Sequence, residues 1–376
     1  MRSGDDRSMK KTSLVVCTNC GRGYPEGKIL YCCPKCGGLY DFATPFPLDL
    51  GRIEGSQAGI WKYRHSFGLP DEVEPVSLGE GNTPLVWANI HERKVGFKCE
   101  YINPSGSFKD RGSTVIATWL KSNGVKEAIE DSSGNAGASF AAYAARGGIH
   151  ARIFVPESTS GPKRMQIETY GAELVPIPGS RSDVTEATKR EVEKGGIYAS
   201  HAALPFNLPG YATIAYEIYA QTGGMPGAII TPAGQGGLLL GIQRGFEALR
   251  IATNENKIPR IIGVQARACA PLWAMFTSGR QGLAFVMENP TIAEGVRTRF
   301  PLRGEAVLAA VKASGGSIHA VDEEEILPAR DELAHLGFYV EPTSALVWPV
   351  CLHLIDELPD PVVLILSGSG LKYGVK

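Results

Sequence analysis

The stretch Asn103-Pro104-Ser105-Gly106-Ser107-Phe108-Lys109-Asp110-Arg111-Gly112 decides how the rest of the chain is read. Asn, Pro, Gly and Ser in succession predict a turn with special backbone geometry. Ser107, or Asp110 three residues on, is placed to cap the helix that follows. Val115, Ile116, Trp119 and Leu120 give that helix an apolar stripe at helical spacing, and Asn123-Gly124 ends it. Lys109 therefore falls at a loop-to-helix junction, where the positive helix end lowers an amine's pKa and helps hold it unprotonated. An amine in that state can form a Schiff base with an aldehyde cofactor. Taken alone, the same Lys-Asp-Arg cluster also suits a solvated helix start.

Three more segments stand downstream: SSGNAGAS (132 to 139), PAGQGGLLLG (232 to 241) and LSGSGLK (366 to 372). SSGNAGAS opens an Ala-rich helix whose free first-turn amides can receive a carboxylate, although a lone SSGN would serve equally as an ordinary cap. Gly234, Gln235, Gly236 and Gly237 lie between a strand and a helix, where glycine lets the backbone wrap a phosphate or simply pack closely. Together with NPSGSFKDRG, and in this order, these segments resemble the fold type II family of pyridoxal phosphate (PLP) enzymes, most closely threonine synthase and its relatives. The similarity runs from about Gly79 to Lys372.

That resemblance implies that Lys109 is the Schiff-base lysine, that Asn135 meets the cofactor's 3-oxygen, and that Gly234, Gln235, Gly236 and Gly237 hold its 5'-phosphate. It places the Ser367 hydroxyl against the pyridine nitrogen. A hydroxyl there suits a neutral ring, a weaker electron sink that favours elimination and replacement over transamination. Ser132, Ser133, Gly134 and Ala136 would hold the substrate carboxylate, and Glu341 would give support near the ring. The implied activity is that of threonine synthase, converting O-phosphohomoserine and water to threonine and phosphate.

One segment departs from the family. Many members carry an Asn/Ser/Arg-rich stretch for the substrate phosphate before a GQKT-like helix start. Here it reads SHAALPFNLPGYAT (200 to 213), without arginine. Arg297, Arg299 and Arg303, or Lys163 and Arg164, are alternative anion ligands, each of which also suits solvated surface charge. The competing reading is a paralogue acting on another amino acid, as a serine/threonine dehydratase or a cysteate synthase-like β-replacement enzyme. A non-catalytic regulator using its N-terminal segment for partners is a third, disfavoured by the presence of Lys109.

That N-terminal segment carries Cys17 and Cys20, then Cys33 and Cys36, with a glycine after each pair. Two CxxC pairs twelve residues apart match a zinc ribbon closed by four thiolates, which stabilises a small fold and does no chemistry. Cys32 is the spare. Residues 1 to 40 hold seven Lys/Arg against three Asp/Glu with few aromatics between, weak support for nucleic-acid binding.

The chain's 376 residues suffice for two core-bearing domains and an appendage, and 43% hydrophobic content supplies their cores. A net charge of −1 argues against a general polyanion binder. No apolar run reaches membrane-spanning length and MRSGDDRSMKK lacks a signal-peptide core, so a cytoplasmic protein is expected. Apolar runs at 151 to 155, 228 to 231, 261 to 265 and 362 to 366 read as buried parallel strands, separated by helices that end at Gly147, Gly195 and Gly223. The predicted fold is α/β, with two open, mostly parallel sheets and a small ribbon. The expected parts are a ribbon at 13–42, a connector at 43–79 joining the larger domain, a smaller domain at 80–204 and the larger at 205–376. The cofactor would lie between the two large parts, and a homodimer is expected by resemblance.

Overall fold

A computed structural model describes residues 14–159, 161–179 and 181–373. Residues 1 to 12, whose polar sequence predicts disorder, lie outside the described residues. Among the described residues, eleven strands form three sheets. Strands β1 (Val15–Cys17) and β2 (Tyr40–Phe42) pair antiparallel in the cysteine segment. Strands β3 (Leu85–Ile90), β4 (Arg93–Lys98), β8 (Ala228–Pro232), β9 (Arg260–Ala266), β10 (Ser317–Val321) and β11 (Val362–Ile365) build a six-stranded sheet ordered β10-β9-β8-β11-β4-β3. Strands β5 (Glu127–Glu130), β6 (His150–Pro156) and β7 (Glu173–Ile177) form a parallel three-stranded sheet.

All pairings in the larger sheet are parallel except the hairpin β3–β4. Strands β8 and β11 are buried along their whole length because helices cover both faces. Alternation does the sorting. Ile229, Ile261 and Val363 enter one apolar cluster, which contains the helices Leu208–Thr222 and Gly237–Thr253, while Ile230, Ile262 and Leu364 enter the other. The four apolar runs read as strands are strands β6, β8, β9 and β11. Gly148 (φ 70°) and Gly223 (φ 74°) terminate their helices in the left-handed conformation, and Arg181–Glu193 stops two residues before Gly195.

Two expectations need correction. Strands β3 and β4 fall inside the range assigned to the smaller domain, yet they extend the six-stranded sheet. Strand β4 pairs with β11, and its buried Lys98 is ion-paired to Glu217 of the Leu208–Thr222 helix at 2.7 Å. The helix Lys109–Ser122 is also not capped by Ser107 or Asp110: its N-cap is Phe108, with no side-chain cap bond. Asp110 turns back instead to accept from the Ser105 amide (2.6 Å) and from Ser139 Oγ (2.6 Å). It closes the turn before the helix and ties it to the helix Asn135–Gly147.

Phe46, Ile60, Trp61, Tyr63 and Phe67 of the 43–79 segment pack into the first of these clusters. The 3-10 stretch Gly59–Ser66 buries Ile60, Trp61 and Tyr63, with the Tyr63 ring edge-on to Tyr216 at 5.1 Å. No described helix is long and apolar enough to cross a membrane.

Candidate active site

The C-terminal ends of the parallel strands face the loops that carry the singled-out residues, the usual position of a ligand crevice in such sheets. Ser367 follows β11, the 232–236 turn follows β8, and Ser132 follows β5. The lysine loop is stitched to the first of these turns: Phe108 N donates to Ser367 O at 3.0 Å, and Ser107 bridges Gly368.

Lys109 opens its helix and shares a cavity wall with His201, Asn207, Tyr211, Gln235 and Arg303. Burial pulls its amine down to about 8, against the opposing carboxylates of Glu130 and Glu341. Desolvation rather than the helix end is thus the leading cause of the lowered value. A close approach of helices builds the wall. The backbone of Gly210 lies so near Arg111 that a Cβ would stand 1.9 Å from the Arg111 carbonyl oxygen, which brings the helix beginning at Leu208 against the lysine helix.

The glycine turn after β8 has the geometry a phosphate requires. Gly236 is left-handed (φ 85°) and opens the helix Gly237–Thr253, whose first amides have no intrahelical acceptor. A Cβ on Gly234 would meet the Gly295 carbonyl oxygen at 2.8 Å, and one on Gly236 would meet Val307 Cγ2 at 2.3 Å. Gln235 accepts from Leu302 N at 3.0 Å, so this turn and residues 295–302 pack as one unit.

On the other side, Asn135 donates to Glu341 Oε1 at 2.8 Å while its own Oδ1 is buried without a partner. Lys163 Nζ stands 3.4 Å from Glu341 Oε2. Ser367 Oγ and Ser344 Oγ are 3.0 Å apart, and Ser344 Oγ also receives the Gly368 amide at 2.8 Å. Ser132, Ser133 and Gly134 are half-buried before the helix, and Ala136 is buried in its first turn. The lowered amine and the helix start at Gly237 share one cavity wall, while Asn135, with its orphaned amide oxygen, and the Ser367 hydroxyl lie at the neighbouring Gly368 turn. These are the donors and acceptors that a phosphorylated pyridine aldehyde needs.

The family model "Pyridoxal-phosphate dependent enzyme" matches residues 76–368. The chain belongs to that family. This PLP-dependent enzyme is 33% identical to the threonine synthase of Methanocaldococcus jannaschii, over 96% of this chain and 93% of that one. It is 32% identical to the threonine synthase of a Synechocystis species, over 83% and 82%. Among solved structures, a threonine deaminase from T.th. superposes with a TM-score of 0.65 at 27% identity, over 78% of this chain and 94% of that one. The L-serine ammonia-lyase of Rhizomucor miehei shares the fold with a TM-score of 0.67 at 24% identity, over 79% and 95%.

Sequence reasoning missed several residues of this PLP-dependent enzyme's site. His201 and Asn207 lie in the segment read only for its missing arginine. Arg303, weighed as surface charge, is buried: it donates to Tyr40 O and Ala203 O, both at 2.9 Å, and pairs with Asp41 at 3.0 Å. Arg297 and Arg299 fit the surface reading; Arg297 donates to Glu288 O, and Arg299 lies over the Phe300 ring. Lys372, the last residue of LSGSGLK, is also buried, pulled by burial to about 8 and without a hydrogen-bond partner. Ser344 has no motif of its own.

The four ribbon cysteines cluster with every pair of sulfurs within 4.8 Å, and Cys32 is outside the group. Cys17 and Cys36 lie 3.5 Å apart and Cys20 and Cys33 3.8 Å, close to the roughly 3.8 Å edge of a tetrahedron with metal–sulfur bonds of about 2.3 Å. Burial pushes Cys33 up, but the Lys35 and Cys36 amides outweigh it and bring the thiol to about 6. The Gly38 amide draws Cys36 down, but crowding by Cys17, Cys20 and Cys33 drives it to about 12. Four cysteine sulfurs this close form the donor set that a tetrahedral metal site uses. Gly21 (φ 68°) and Gly37 (φ 71°) take the turns expected after each pair.

Proposed function

We propose that this protein is a threonine synthase-type lyase that converts O-phosphohomoserine and water to threonine and phosphate. The observation that carries the reading is the Lys109 amine, lowered to about 8, in a cavity wall beside the glycine turn. The threonine synthase relatives, a third identical over nearly the whole chain, favour this member of the family's reactions.

PLP, when bound, supplies the electron sink that makes the substrate's Cα–H acidic. Lys109 Nζ removes that proton, holds it and returns it, which needs an amine that is neutral near physiological pH. The amides from Gly234 to Gly237 receive the cofactor phosphate. Asn135, oriented by Glu341, would offer its second side-chain N–H to the ring's 3-oxygen, and Ser367 would offer its hydroxyl to the ring nitrogen. Ser132, Ser133, Gly134 and Ala136 take the substrate carboxylate at a helix start. We read the three-stranded and six-stranded sheets as two domains whose closure shields the site from water. Rapid phosphate release with stoichiometric threonine from O-phosphohomoserine is the expected result, measured on the PLP-loaded protein.

A second reading rests on one observation. No arginine or lysine occurs in 200–213, and the guanidinium that reaches the cavity wall, Arg303, is spent on Tyr40, Ala203 and Asp41. Turnover of serine, threonine or O-phosphoserine, with none of O-phosphohomoserine, would move the protein to β-elimination or β-replacement.

The cysteine cluster is read as a structural zinc site. One zinc per chain is expected by elemental analysis. Chelation or Cys33→Ser should lower the melting temperature by several degrees and free the Tyr24 ring, packed edge-on to Trp119 and Phe206 at 5.9 and 5.2 Å, which tyrosine fluorescence would report. A protein with no metal and an unchanged melting curve on chelation would sink this assignment.

A further inference from the structure

The cavity wall that carries Lys109 also carries His201, which is backed by a buried carboxylate that the family motifs do not include. Glu130, the last residue of β5, is fully buried, and its Oε1 lies 2.6 Å from His201 Nδ1. Its Oε2 accepts the His201 backbone amide at 3.2 Å, so the carboxylate grips both ends of the residue. An ionised carboxylate only accepts hydrogen bonds, so this contact puts a ring hydrogen on Nδ1, and in the neutral imidazole Nε2 then keeps its lone pair. No described residue hydrogen-bonds Nε2, while His201 and Lys109 line the same cavity. Next to it, Asn207 donates to the His201 carbonyl and leaves its own Oδ1 buried without a partner. A lone-pair nitrogen and an unpartnered amide oxygen in one wall suit a water molecule or a hydroxyl as guest.

We propose that His201, oriented by Glu130, is the catalytic base for the oxygen at the substrate's β-carbon. The inference deepens the threonine synthase reading and rests on it. After phosphate has left, the substrate carries a Cα=Cβ double bond. Water adds as its oxygen bonds Cβ, one O–H bond breaks and that proton passes to His201 Nε2. The electron pair of the double bond moves to Cα, which takes a proton from the Lys109 ammonium. His201 then returns its proton to solvent, so the net change is addition of one water. The Glu130 carboxylate stabilises the transient imidazolium, the role a buried acid plays behind any catalytic histidine. By microscopic reversibility the same nitrogen would protonate a leaving β-hydroxyl if the substrate were serine or threonine.

The test uses the PLP-loaded full chain and the variant His201→Asn, whose side-chain amide can still donate to Glu130 but offers no basic nitrogen. O-Phosphohomoserine is the substrate, and phosphate, threonine, 2-oxobutanoate and ammonia are quantified. The expected result is phosphate release within about threefold of the parent, with the rate of threonine formation down about 10²–10⁴-fold. The unsaturated amino acid, no longer hydrated at Cβ, escapes and hydrolyses to 2-oxobutanoate and ammonia in place of threonine. Glu130→Gln should shift the threonine to 2-oxobutanoate ratio in the same direction by less, which keeps the proposal testable if the first variant folds poorly. Phosphate and threonine falling together in both variants, or an unchanged ratio, would overturn it. A parent enzyme inert to O-phosphohomoserine but active on threonine would remove the threonine synthase reading alone. His201→Asn would then be expected to keep Cα hydrogen exchange and lose ammonia release, and loss of both or of neither would overturn the role of His201. A parent inert to both substrates would overturn both readings.

Discussion

Lys109→Ala is expected to lose the covalent, borohydride-reducible attachment of PLP and to lower turnover by at least about 10³-fold, because one amine serves as both tether and base. The structure makes the choice of lysine a real question. Lys109 and Lys372 are both buried and both pulled to about 8 by desolvation. Lys109 lies in the cavity wall with the glycine turn, whereas the Lys372 chain packs where a Cβ on Gly106 would meet its Cδ at 2.9 Å. Reductive trapping followed by peptide mapping should place the label at residue 109 in the parent and in Lys372→Ala, and nowhere in Lys109→Ala. The sign of the pH dependence follows from the lowered value. Below about pH 8 the protonated amine predominates, and the reactive fraction falls tenfold per unit; above it the rate of attachment levels off. A Lys109→Ala protein that still forms a reducible adduct would refute the assignment, and a trapping rate that keeps rising to pH 10 would refute the burial argument.

The parts of this site legible in the sequence are those whose backbone needs are special. NPSGSFK, SSGN and GQGG are turns that must present amides or a lysine at helix starts, and their glycines and serines are chosen by the backbone. The fully buried strands were legible for a related reason: β8 and β11 are apolar without alternation because helices cover both faces. The paired cysteines were legible because thiolates at that spacing have few other uses. What could not be read was pairing across distance. Asp110 serves the turn at Ser105 and a helix 29 residues on, rather than its own helix end. Arg303 looks like any surface arginine until Tyr40, Asp41 and Ala203 close around it. The pairing of the β3–β4 hairpin with β11 was not legible because an antiparallel pair carries no local mark of which edge it will extend. His201 was overlooked because attention in 200–213 fell on a missing charge, and only the fold brings Glu130 beneath it.

The largest effect on stability is expected at Glu217, which belongs to none of the sequence motifs but bonds Arg111 of the lysine segment. Its carboxylate receives Arg111 Nη1 and Nη2 at 2.8 and 2.7 Å, Lys98 Nζ at 2.7 Å and the Asn82 amide at 2.8 Å. Arg111 in turn reaches Glu100 at 2.7 and 2.8 Å, so two buried cations are balanced by two buried carboxylates. The network joins β4, the lysine helix and the helix Leu208–Thr222, and so fixes the helix that begins with Lys109. Glu217→Gln removes one negative charge, turns an amide N–H toward donors and leaves a cation uncompensated. Breaking a buried pair in this way costs about 3–5 kcal/mol, well above the net worth of an exposed pair. Burial pushes the Glu217 carboxyl up, but Arg111 and Lys98 outweigh it and hold it far below the usual carboxylate range. Its contribution is therefore complete above its ordinary value of 4.5 and is lost as the pH falls below that. Asp110, which burial pushes the other way to about 6, is common to both proteins, so the difference between their stability curves isolates Glu217. Chemical unfolding from pH 3 to 8 should show a gap of about 3–5 kcal/mol at neutral pH that narrows as the solution is acidified. A gap below about 1 kcal/mol, or one that widens toward acid, would mean that the lysine helix is held by its apolar contacts alone.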